Sequence, residues 1–227
     1  MSIDSPIFVT APPRSGTTMV AGLLKMHGVW IGEARVTSYP ETNPQVGTEN
    51  QEIKQLCKDI AQVTGYKNWH VPLPEPVFES GTAFAESVKQ RVYTTGPWLV
   101  KTAWITIYYQ LWHEAFPKAK WLLIQRSAEE IVASVKRHPV MQRHSEVQVR
   151  KFVDALHARM GKIQSTPGIK SLIVDPAKIA SSDLRRIVEV LRFCDIEPKA
   201  EVINNWIHPE WWHGNKAQGN LTRPSKL

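Results

Sequence analysis

A chain of 227 residues, 42% of them apolar, can bury its own core, and neither an internal repeat nor a Ser/Gly-rich linker divides it. Its two cysteines, Cys57 and Cys194, lie far apart and exclude a disulfide framework or a cysteine metal cluster; with no signal peptide and no membrane-length apolar run, a cytoplasmic protein without membrane contact is expected. A formal charge of +7 favours a polyanionic partner, but the basic residues are dispersed rather than gathered in one run, which argues against nucleic acid.

The first predicted element is a buried strand ending near Val9. A loop follows, and Thr17 and Thr18 open a helix whose apolar stripe is Met19, Val20, Leu23 and Leu24. The first turn of such a helix exposes backbone N–H groups without intrahelical partners, together with the positive end of the macrodipole, so it favours an anion. Arg14, Ser15 and Gly16 form the turn, and Arg14 adds a charge and a planar fork of donors suited to phosphate oxygens. The turn therefore reads as a phosphate-binding loop. It is not the Gly-x-x-x-x-Gly-Lys-[Ser/Thr] loop of nucleoside triphosphatases, because Ala11 stands where the first glycine belongs and Thr17 where the lysine belongs. An ordinary ATP-hydrolysing machine is disfavoured.

From Ile31 to Thr95 the chain is richer in Pro, Thr and Glu and less periodic, which suits an acceptor-binding lid or insertion as well as a plain surface excursion. Trp98 to Lys101 reads as a strand ending in a cation, followed by a helix from about Ile105 to Phe116 that Pro117 stops. Trp121 to Gln125 is another buried strand, with Arg126 at its carboxyl end. Ser127 caps a helix from Ala128 to about Arg137, where His138-Pro139 ends it. That helix buries Ala128, Ile131, Val132 and Val135, and Ser134 lies on the flank of the stripe. A helix over Val147 to Ile163, a strand over Ser171 to Val174 and a helix over Leu184 to Phe193, capped by Ser182 or Asp183, complete the pattern. Strands alternating with helices predict one α/β domain over residues 1–227, in three layers, with a central parallel sheet flanked by helices.

Two of these motifs, in this order, resemble the sulfotransferases. Pro12 to Thr18, reading Pro-Pro-Arg-Ser-Gly-Thr-Thr, is similar to the family's 5′-phosphosulfate loop, and Arg126 followed eight positions later by Ser134 is similar to its 3′-phosphate-binding pair. The whole run from Trp98 to Arg137 resembles the bacterial branch. The resemblance implies a P-loop-type fold and a donor, 3′-phosphoadenosine 5′-phosphosulfate (PAPS). Its sulfuryl group would pass by in-line displacement to a hydroxyl or amine of a small-molecule or glycan acceptor, leaving 3′-phosphoadenosine 5′-phosphate (PAP), with no metal. It further implies that Arg14, Ser15, Gly16, Thr17 and Thr18 hold the 5′ end of the donor, that Arg126 and Ser134 hold the 3′-phosphate, and that Lys101 is a cation beside the sulfuryl group.

One departure matters for chemistry. In the cytosolic branch the corresponding strand ends Lys-Thr-His and the histidine is the general base, whereas this chain has Lys101-Thr102-Ala103. A carboxylate within hydrogen-bond reach is an adequate substitute. Glu33, close to the Gly-Glu-Glu stretch of tyrosylprotein sulfotransferases, is the first choice, and Glu49, in a run from Asn43 to Asn50 that resembles a bacterial segment, is the second. His27 and His70 lie in the same half of the chain and stay as further candidates. Trp69, Trp104, Trp211 and Trp212 would either wall an acceptor pocket or fill the core. Two other classes stay open: a P-loop nucleotide or nucleoside kinase, which would need ATP and magnesium, and a non-catalytic nucleotide-binding module, which would need no base.

Overall fold

Successive residues of β1 (Ile7–Thr10) face two different cores. Phe8 packs with Trp98, Val100, Trp121 and Leu123 on one side; Ile7 and Val9 pack with Leu99, Leu122, Ile124 and Val174 on the other. A strand buried on both faces needs helices above and below it. The computed structural model, which describes residues 3–33, 48–66, 81–138 and 141–207, supplies them. β2 (Leu99–Lys101), β3 (Lys120–Ile124) and β4 (Lys170–Val174) join β1 in one parallel sheet, in the order β2-β1-β3-β4.

The helices that follow in chain order are α1 (Thr17–Met26), α2 (Gln51–Val63), α3 (Gly81–Lys89), α4 (Trp104–Ile107), α5 (Tyr109–Ala115), α6 (Ala128–Lys136), α7 (Glu146–Ser165), α8 (Pro176–Ala180), α9 (Leu184–Phe193) and α10 (Ala200–Trp206). Buried side chains of α1 and α8 to α10 fill one core and those of α2 to α7 the other. This is the three-layer α/β arrangement that the alternation of strands and helices predicts. Caps follow the predicted chemistry: Ser127 accepts from the Glu130 amide, and Asp183 rather than Ser182 caps α9 by accepting from the amides of Arg185 and Arg186.

Two expectations change. The helix predicted from Ile105 to Phe116 is broken at Tyr108, whose φ of −113° and ψ of 36° separate α4 from α5. The cause is tertiary: buried Arg159 of α7 donates to the Ile107 carbonyl, and the Tyr108 hydroxyl is hydrogen-bonded to Thr64 Oγ1 at 3.1 Å. The second change concerns the less periodic middle region. Where it is described it is built into the core, since α2 buries Ile53 and Cys57 and α3 buries Phe84 and Val88. The segments 34–47 and 67–80 lie outside the described residues.

The helix after the Arg14 turn is clamped from behind. Trp206 Nε1 donates to the Met19 carbonyl at 2.9 Å, and its indole covers Gly22 so closely that a β-carbon there would lie 1.8 Å from a ring carbon. Gly22→Ala gains about 1 kcal/mol of helix propensity. The overlap forces α10 away from α1, however, and overpacking of this kind costs about 1–3 kcal/mol. The clash wins, and we expect a lower urea midpoint at unchanged m.

Candidate active site

Strand order decides where a ligand can sit. From β1 the chain goes to β2 on one side, and from β3 it goes to β4 on the other, so the crevice at the carboxyl ends of β1 and β3 is the topological switch point of the sheet. Thr10 is in register with Leu123, which brings those two ends level. The Arg14 turn leaves β1 and Arg126 follows β3 into the same crevice. There Arg126 Nη1 donates to the Arg14 carbonyl at 3.0 Å, and Arg14 Nε donates to Ser134 Oγ at 3.2 Å. Ser134, expected on the flank of α6, is buried with its hydroxyl against the turn.

The turn is shaped for an anion. Arg14 and Gly16 both take the left-handed conformation, with φ of 69° and 87°, which is free for glycine and costly for arginine. Gly16 gives α1 no side-chain cap, and no acidic residue stands in its first turn. Ser15 is fully buried, and its Oγ has no hydrogen-bond partner among the described residues. Burial, and then the charges of Arg126 and Arg137, push the Arg14 guanidinium below its ordinary pKa, while Glu130 offsets part of the charge of Arg126 from 3.6 Å. Arginine stays protonated in proteins, so the crevice keeps an excess of positive charge. First-turn amides without a side-chain cap and surplus cations are what phosphate oxygens satisfy, and these residues fit a phosphorylated nucleotide.

On the other flank of β1, Lys101 is 9% exposed and its Nζ donates to Glu49 Oε1 at 2.8 Å. Lys54 of α2 pairs with Glu49 Oε2. Burial raises the Glu49 pKa, but the charges and hydrogen bonds of Lys101 and Lys54 override it and hold the carboxyl down to about 2. Thr10 ties this corner to β1, its hydroxyl bonding the Thr102 carbonyl at 2.8 Å and Thr106 Oγ1 at 2.7 Å. Neither Lys54 nor the Thr10–Thr106 pair is singled out by the sequence reading. A threonine ending an apolar strand was a usable signal for the second, whereas Lys54 carries none.

The other candidates are placed differently. Glu33 has an exposed side chain, although its carbonyl accepts from the Gln51 amide at 3.3 Å and so lies beside the start of α2. His27 sits at the far end of α1 from the Arg14 turn. Its Nε2 accepts from the Lys199 amide at 3.2 Å, so Nδ1 carries the proton and donates to the Leu23 carbonyl at 2.8 Å, a structural position. Trp104 stacks on Tyr108 with ring centroids 5.9 Å apart and meets Tyr66 edge-on at 5.1 Å. His70, Trp69, Trp211 and Trp212 lie outside the described residues. Among the described residues no cluster of three or more metal-ligating side chains occurs, and no helix is long and apolar enough to cross a membrane.

The depressed Glu49 pKa has a consequence for stability. A carboxyl held below its ordinary value of 4.5 contributes stability that is fully present above that pH and is lost as pH falls toward about 2. The gap in urea midpoint between wild type and Glu49→Gln should therefore be constant above about pH 5 and close progressively below it.

A family model described as sulfotransferase family matches residues 6–199. Among solved structures, the chain is similar to sulfotransferase STF9 from Mycobacterium avium, with a TM-score of 0.56 at 14% identity over 91% of this chain and 68% of that one. It is also similar to the sulfotransferase domain from the curacin biosynthetic pathway, with a TM-score of 0.53 at 12% identity over 89% and 77% of the two chains. At these identities the likeness is one of fold, the P-loop-type α/β architecture. No curated protein sequence matches the chain.

Proposed function

Because the chain belongs to the sulfotransferase family, we propose that it moves a sulfuryl group from PAPS to a hydroxyl or amine of a small-molecule or glycan acceptor by in-line displacement. The observation that carries this reading is the meeting of Arg14, Arg126 and Ser134 at the β1/β3 crevice, with Lys101 on the neighbouring strand. Two phosphate-binding groups at the ends of two adjacent strands suit a nucleotide phosphorylated at both its 5′ and 3′ positions.

The donor supplies the sulfuryl group, and the chain supplies the rest. The amides of Ser15 to Thr18 hold the 5′ end, Arg14 neutralises it, and Arg126 with Ser134 holds the 3′-phosphate. As the bond from sulfur to the departing oxygen lengthens, negative charge grows on that oxygen, and Lys101 and Arg14 stabilise it more than they stabilise the ground state. The acceptor loses a proton as it gains the sulfuryl group. Of the two carboxylates, geometry favours Glu49 for that proton, because it touches Lys101 on the strand beside β1, whereas the Glu33 side chain is exposed. No metal enters this scheme.

Calorimetry with PAP, set against ATP plus magnesium, tests the donor. PAP binding in preference to ATP is expected, and the reverse would mark a nucleotide or nucleoside kinase. Transfer of radiolabelled sulfate from PAPS to a panel of phenols, alcohols, amines and sugars tests the reaction. PAP binding with transfer to none of them would mark a non-catalytic nucleotide-binding module.

A further inference from the structure

Glu49 is held by two lysines at once, one from each of two elements. Lys101 comes from β2 and meets Oε1 at 2.8 Å; Lys54 comes from the start of α2 and meets Oε2. Hydrogen bonds at the start of α2 hold the backbone beside Glu49. Asn50 caps α2 by accepting from the Ile53 amide at 2.9 Å, and Gln51 Nε2 donates back to the Glu49 carbonyl at 3.0 Å. Among the described residues the charged groups around Glu49 are therefore Lys101 from β2 and Lys54 from α2, with Glu33 joined to the same corner through its carbonyl and its own carboxylate exposed.

The two lysines do not have the same task. In the reading above Lys101 turns to the departing oxygen of the donor. That leaves a carboxylate only 32% exposed beside a nucleotide bearing several negative charges, and both burial and that neighbour favour its protonated form. A protonated Glu49 accepts nothing. We propose that Lys54 is a positioning residue that keeps Glu49 ionised, with Oε1 free for the acceptor's proton, once Lys101 is engaged by the donor. This rests on Glu49 as the base. Lys54 does not touch donor or acceptor in this scheme; it acts through Glu49.

The test follows the Glu49 side-chain carboxyl by carbon-13 NMR in the full chain saturated with PAP, the resonance being identified by its loss in Glu49→Gln. In Lys54→Met the titration midpoint should rise by about 1–2 pH units, the usual effect of removing an adjacent opposite charge, and Lys54→Arg should restore it. Lys54→Gln, which keeps a polar group on this partly exposed helix face, should give the same rise and serves if the methionine variant does not fold. A midpoint in either neutral variant that matches wild type overturns the proposal, as does a rise that arginine fails to reverse. Failure of the underlying reading registers separately, as undiminished sulfate transfer by Glu49→Gln.

Discussion

Arg14→Gly should leave the protein as stable as wild type or more so, while weakening PAP binding about a thousandfold, near 4 kcal/mol. The stability side is a near balance. A non-glycine residue in the left-handed region costs about 1–2 kcal/mol, which glycine relieves. Removing the guanidinium also relieves its repulsion with Arg126 and Arg137, against the loss of one hydrogen bond to Ser134 worth about 1 kcal/mol. Nothing offsets the expected functional loss, because the proposed scheme loses a partly buried cation that neutralises the 5′ end of the nucleotide. Arg14→Ala separates the two effects: it loses the charge but keeps the strain, and should be less stable than Arg14→Gly with equally weak binding. Calorimetry with PAP and urea unfolding on the same three proteins decide the matter. Undiminished PAP affinity in Arg14→Gly would remove Arg14 from the binding site, and a glycine variant that unfolds early would make the arginine a structural residue.

The second large effect is expected at Glu49. Glu49→Gln keeps the shape of the side chain but cannot take a proton, so turnover should fall a hundredfold to ten-thousandfold, the usual worth of a positioned general base, of order 3–5 kcal/mol. Donor affinity should move the other way. Removing a negative charge from the Lys101 and Lys54 corner leaves both cations free to attract the nucleotide, so PAP should bind as well as before or more tightly. A turnover loss joined to unweakened donor binding is the signature of a base rather than a binding group. Glu33→Gln, its side chain exposed, should stay near wild type. Loss of transfer in Glu33→Gln with retention in Glu49→Gln would reverse the assignment.

Local chemistry made the cradle legible. The strand, the Arg-Ser-Gly-Thr-Thr turn and α1 are contiguous, and each needs only its own residues: a continuous apolar run for β1, a glycine for a left-handed step, a periodic stripe for the helix. The Ser127 and Asp183 caps are local in the same sense. What the sequence reading missed is tertiary or masked by composition. The break at Tyr108 depends on a guanidinium from α7 claiming the Ile107 carbonyl from fifty-two residues further along the chain. Ser134 looked like a flank residue because the helix pattern says which face is apolar, not that a turn 120 residues earlier packs on that flank. α2 has Ile53, Cys57 and Ala61 at helical spacing, but among polar neighbours so short a stripe does not stand out from the less periodic region between Ile31 and Thr95. Lys54 was invisible because a lysine on a helix surface is normally solvated, and only the fold brings Lys101 to the other oxygen of the same carboxylate.

The parallel pairing of β1 also sets a schedule for synthesis. Ile7 finds its partner Leu99 only 92 residues later in the chain, and Trp206, which clamps the cradle helix, is made later still. At about 5–20 residues per second, roughly 5–20 s pass between the emergence of β1 and that of its first neighbour. Throughout that interval the nascent chain carries an apolar Ile-Phe-Val segment with both edges unpaired, a natural client for chaperones and a seed for aggregation when translation outruns them. Slowed expression at low temperature should therefore raise soluble yield, for reasons that lie in the order of the strands rather than in the chemistry at their tips.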